Sequence, residues 1–120
     1  MGQIMSQGVL QAKLWYAQRI SAMVLGICVA VHLVIIFYAI RGGLSAQEIL
    51  GRTQGNAWFA FFYEIFVLAC FVHAPIGMAN ILQETFPKSG VARPIAWILA
   101  LLILILGTTA VIGVFTGGQI

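Results

Sequence analysis

Three apolar runs, each long enough to cross a lipid bilayer, leave this chain little choice of fold. Ile20 to Ile40 carries no charge, Ala57 to Leu82 carries only Glu64, and Ile95 to Phe115 carries none. A helix needs about 20 such residues to span the hydrocarbon. Inside it, every backbone N–H and C=O must be satisfied within the segment, which makes each run a helix. Only 8% of the 120 residues are charged, against about 25% in soluble domains, so a soluble fold is excluded. The expectation is an all-α membrane protein. It is one domain over residues 1–120, with helices at about 16–40, 57–84 and 93–116.

The first run is too long for the apolar core of a signal peptide. Arg41-Gly42-Gly43 follows it in place of a small-residue cleavage site, so it reads as a retained helix. Lys13 and Arg19 precede the first span, and Lys88 and Arg93 lie between the second and third. Arg41 and Arg52 lie between the first and second, and the C-terminal tail has no basic residue. The positive-inside rule then places the N-terminus in the cytoplasm of a multi-pass inner-membrane protein. The net charge of +3 reads as membrane anchoring, with no nucleic-acid partner. Trp15, Trp58 and Trp97 fall near span ends, as an interfacial aromatic belt requires.

Punctuation marks the remaining boundaries. Gly42-Gly43 stops the first helix, and Ser45 with Glu48 three residues on forms a capping box for a short interfacial turn. Gly51 to Asn56 reads as a polar loop, and Phe86 to Gly90 as a turn. Pro75 lies inside the second span, where it kinks the helix without ending it. Cys28 and Cys70, both inside spans and without CxxC spacing, read as apolar-like packing residues. The third span holds no residue suited to redox or proton chemistry.

The chemistry rests on two histidines, His32 and His73, each in the middle of a span. An ionisable group at that depth is costly and by default marks a function, and histidine is a common haem ligand. With His73 at zero on a helical wheel, Gly77, Asn80 and Glu84 fall at about 40°, −20° and 20°. This is one narrow stripe, small in the middle and polar below. A flat macrocycle on His73 needs a small neighbour one turn away, which Gly77 supplies. The competing reading is a small-residue packing face with an interhelical hydrogen bond. His32 has the same two readings. The helical rise puts the histidines roughly 5–10 Å apart in depth, so they suit two haems better than one, each completed by a histidine from another chain.

Two further residues carry two readings each. Arg19 either pairs with a haem propionate or quinone oxygen, or snorkels as a topology anchor. Ser21, two residues on, shares that position. Glu64, the only acid in an apolar span, lies about 180° from His73. It is either a proton carrier near the outer surface or a buried acid with a partner, the latter slightly favoured.

These stretches resemble a known family. Phe71 to Glu84, FVHAPIGMANILQE, is similar to the haem-ligand helix of the membrane-anchor cytochrome b subunits of succinate dehydrogenase and fumarate reductase: His, Gly four residues later, and an acid near the helix end. Gln18 to Ala22 resembles the His-Arg-Ile/Val-Ser/Thr-Gly opening of their first helix, with Gln18 in place of His and Ala22 in place of Gly. Val31 to Ile35 is similar to the first-helix haem motif of dihaem members. The resemblance covers residues 15–85.

It implies axial haem b ligation by His73 and His32, with Gly77 and Arg19 beside the haem, and one or two haems shared with a partner chain. It implies a quinone near Trp15, Arg19, Ser21 and Glu84; Glu64 is a proton-transfer candidate by its position in the span alone. Thr85 stands where some members have a quinone-binding Tyr, and Trp15 where some have Ser. The implied partners are a flavoprotein subunit and an iron–sulfur subunit. Three helices make half of a haem-binding bundle, so a second three-helix subunit or a second copy of this chain completes it. The implied function is electron transfer between the iron–sulfur subunit and quinone in a succinate:quinone oxidoreductase, with no catalysis by this chain alone. The alternatives are a haem-free structural anchor for a soluble oxidoreductase and a small transporter subunit; the paired charges and broken helices of transporters are missing.

Overall fold

The computed structural model describes residues 2–118. The chain forms α1 (Gly2–Gly42), α2 (Ala46–Thr53), α3 (Ala57–Thr85) and α4 (Ala92–Thr116). Three helices, α1 from Gln7 onward, α3 and α4, are long and apolar enough to cross a membrane, as the sequence predicts. α3 runs through Pro75 without ending.

α1 extends further toward the N-terminus than the apolar run. Its 41 residues amount to about 60 Å of helix, twice the ~30 Å of hydrocarbon. No proline interrupts residues 2–42, and the good helix formers Gln11, Ala12, Lys13 and Leu14 carry the helix across the polar stretch. It stops where Gly43 adopts φ 107°, a conformation open to glycine and costly for other residues.

α3 is the middle helix, with α1 on one side and α4 on the other. Along α1 the less exposed positions include Gln18, Ser21, Leu25, Cys28, His32, Ile35 and Ala39. Steps of three and four residues make this a coiled-coil-like seam. Packing is by small side chains. The most buried apolar residues are Cys28, Ala69, Ala92 and Ala100, and among the described residues no large side chain is fully buried. Lipid tails are as apolar as leucine, so close backbone approach holds such helices together.

α2 joins two helix ends. Ser45 Oγ accepts from the Glu48 backbone N–H at 3.1 Å, and Glu48 Oε2 accepts from the Ser45 backbone N–H at 3.0 Å, the expected capping box. These bonds hold the Glu48 carboxyl below its ordinary range. The reciprocal cap is therefore complete at neutral pH and weakens as pH falls through that lowered value. The helix continues to Thr53, beyond the predicted turn, because its last residues have partners. Arg52 Nη2 donates to Gly43 O at 2.8 Å, and Thr53 Oγ1 donates to Val114 O at 3.1 Å. The Gly55 N–H donates to Phe115 O at 2.8 Å. Carbonyls left open at the end of α4 thus find donors in the α2–α3 connection.

Candidate functional site

Both histidines lie in the α1–α3 contact. His73, on α3, brings Nδ1 within 3.4 Å of both Ser21 Oγ and Gln18 O. Ser21 Oγ donates to Gln18 O at 3.0 Å, which leaves its lone pairs open to the His73 N–H. Both 3.4 Å contacts are longer than the usual 2.7–3.2 Å of an N–H···O bond, so the imidazole is lightly held. Gly77 stands one turn further on. A Cβ there would lie 3.2 Å from Gln18 Nε2. The Gln18 Oε1 is buried without a hydrogen-bond partner. The amide therefore fills the space beside Gly77 without being anchored at its oxygen.

His32, on α1, is held more firmly. Its Nδ1 is 2.8 Å from the Tyr63 hydroxyl on α3, and the edges of Tyr63 and Phe66 pack around it at centroid distances of 5.6 and 5.7 Å. A groove of about 310 Å³ opens beside it, lined by His32, Tyr63, Phe59 and Arg52 among others. When Nδ1 is the protonated nitrogen, it donates to Tyr63 and Nε2 is left as a lone pair for a metal.

The two levels are further apart than the sequence indicates. Tyr63 and His73 are ten residues apart on α3, about 15 Å of helix. On α1, His32 and the Gln18–Ser21 turn are separated by a similar rise. The expected 5–10 Å came from matching helix ends, whereas the α1 seam sets the register. His32 and His73 cannot ligate opposite faces of one iron within the chain. No cluster of three metal-ligating side chains occurs among the described residues. Each histidine offers a single bond at its own level.

The other predicted residues do not form one cluster. Arg19 is exposed, its guanidinium 5.0 Å from the Trp15 ring centroid, a cation–π contact on the outside of α1. Ser21 is 6% exposed and belongs to the seam. Glu84 is exposed near the end of α3. Glu64 faces α4, opposite His73, where Thr108 Oγ1 donates to its Oε1 at 2.9 Å. The third span thus supplies the partner of the one membrane-embedded acid, which the sequence did not suggest. Tyr63 was missed too. It falls about 80° from the His73 stripe on the α3 wheel, and only the α1–α3 register brings it to His32.

No curated protein and no solved structure matches the chain. The sequence model of the succinate dehydrogenase/fumarate reductase transmembrane subunit matches residues 3–112. That match takes in the Gln18–Ser21 turn, both histidines, Gly77 and most of α4. This three-span membrane protein therefore belongs to the succinate dehydrogenase/fumarate reductase transmembrane subunit family.

Proposed function

We propose that this chain carries haem b in the membrane anchor of a succinate:quinone oxidoreductase, on the electron path between the iron–sulfur subunit and membrane quinone. The supporting observation is that each histidine engages a partner through Nδ1 in the α1–α3 contact, leaving Nε2 as the nitrogen to ligate. A ligating histidine characteristically donates its other N–H to an oxygen. Haem, when bound, supplies a one-electron carrier whose potential depends on its axial ligands and their hydrogen bonds.

The chain's own part is to position and tune. Tyr63 fixes the tautomer and ring plane of His32. Ser21 and Gln18 O do the same, more loosely, for His73. Gly77 keeps a Cβ out of the space beside His73, and the unanchored Gln18 amide can vacate it. Of the quinone candidates, Trp15 and Arg19 lie together on the outside of α1, with Arg19 the donor, whereas Ser21 belongs to the His73 seam and Glu84 lies apart near the end of α3. Glu64, with Thr108, is a proton-transfer group on the α4 side. The histidines that would complete each haem site would come from a second three-helix subunit or a second copy of this chain. The flavoprotein and iron–sulfur subunits dock on the cytoplasmic side, where the N-terminus lies.

Two substitutions test the reading. Gly77→Leu places a branched side chain beside His73 and is expected to cut the haem content of the purified complex severely; unchanged content removes Gly77 from the site. Tyr63→Phe removes the acceptor of the His32 N–H. The ligand becomes less basic, so the midpoint potential of that haem rises, and its affinity falls by about tenfold or more. Spectropotentiometry reads the shift, and unchanged potentials contradict the role given to Tyr63.

A haem-free anchor draws on one observation, the Gln18 amide that occupies the space beside Gly77. On that reading Gly77→Leu disturbs only helix packing, and the wild-type complex has no b-type spectrum.

A further inference from the structure

A second groove of the chain, without a histidine in its lining, lies apart from these sites. Its volume is about 500 Å³, and it runs along the α3–α4 contact. It exists because its walls are small. Ala92, Ala96 and Ala100 recur every four residues on α4, facing Pro75 and Ala79 of α3. Its polarity is confined to one end. Gln83 and Arg93 stand at the mouth and Asn80 just inside, all three exposed. Trp97, also exposed, lines it one turn deeper. From Gln83 down to Phe71, twelve residues of α3 span about 18 Å, close to the ~15 Å of one leaflet's hydrocarbon.

We propose that this groove holds an acyl chain of an anionic phospholipid, with the phosphate on Arg93 and head-group oxygens on the amides of Asn80 and Gln83. The charge argument selects the ligand. Arg93 is the only ionised group in the lining, and it sits where a head group lies when the chain fills the apolar length. Glu84 does not line the groove; it falls on the His73 stripe. A quinone carbonyl can accept a hydrogen bond from a guanidinium, as proposed for Arg19, but carries no formal charge to balance Arg93. A partner helix laid along the groove buries the guanidinium unless it brings an acid to that point.

The test is mass-spectrometric quantitation of phospholipid retained by the intact complex after detergent washing. Wild type is expected to retain anionic phospholipid. Arg93→Gln lowers that retention roughly five-fold, the contribution of one basic residue near an anionic lipid surface, and Arg93→Lys restores it. Ala96→Leu fills the groove and abolishes retention. Haem content does not enter this readout, so the proposal stands or falls apart from the histidine assignments. It is overturned if wild type retains no anionic phospholipid, or if Arg93→Gln and Ala96→Leu retain as much as wild type. It is equally overturned if Ala96→Leu expels quinone, or releases another membrane subunit, while the phospholipid stays.

Discussion

His73→Ala is expected to remove one haem from the assembled complex while the three-helix anchor remains in the membrane. The chain offers one bond to iron at that level, and no other histidine is within reach. A haem held by His73 as proposed would keep only the histidine from the other chain. The fold loses little. The contacts of Nδ1 with Ser21 Oγ and Gln18 O are both 3.4 Å, at the long edge of hydrogen bonding, and worth less than the ~1 kcal/mol of an ordinary net bond. His32→Ala removes the other haem, at the Tyr63 level, and leaves the first. Difference spectra of the two variants distinguish the outcomes. If both changes erase the same single band, the assignment of separate haems to the two levels is wrong.

Gly107→Leu is expected to produce the largest loss of stability. Gly107 lies on α4 against Val67 of α3, where a Cβ would stand 2.7 and 2.8 Å from the two γ-methyl groups of Val67. Valine in a helix is held to one strongly preferred rotamer, so the methyls cannot swing aside and the helices must separate. Overpacking of this kind costs about 1–3 kcal/mol. Thr108, the next residue, donates to Glu64, and separation weakens that bond as well. Gly113→Leu is the control, on the same helix, with nothing within 4 Å of its Cβ position. Thermal unfolding of the purified complex should show a lowered transition for Gly107→Leu and a near wild-type transition for Gly113→Leu. Equal transitions would mean that the α3–α4 contact is not what holds the bundle.

The features legible in the sequence are those set by local periodicity. Charge-free length gave the spans, Ser45 and Glu48 gave the cap, and 100° steps separated His73 from Glu64. The structure puts these two on opposite sides of α3, one toward α1 and one toward α4. What the sequence did not disclose depends on register between helices. Tyr63 carries no mark that pairs it with His32. Thr108 looks like any small residue in an apolar span until it faces Glu64. Gln18 looks like a mere departure from a motif until its amide is found beside Gly77. The continuation of α2 to Thr53 was hidden because its stabilising partners, Gly43 O and Val114 O, lie outside α2. Arg19 and Ser21, neighbours in sequence, separate onto the outside and the seam of α1, a 200° turn that a linear motif does not express.

This transmembrane subunit is proposed to supply His32 and His73 to haem b. The measurement that bears on it most directly is a dithionite-reduced minus oxidised spectrum of the purified complex, with a pyridine haemochrome count. A b-type spectrum with one haem for each histidine level of this chain is expected. A complex that is intact and active yet shows no b-type haem would contradict it, and would leave His32 and His73 as packing residues of a structural anchor.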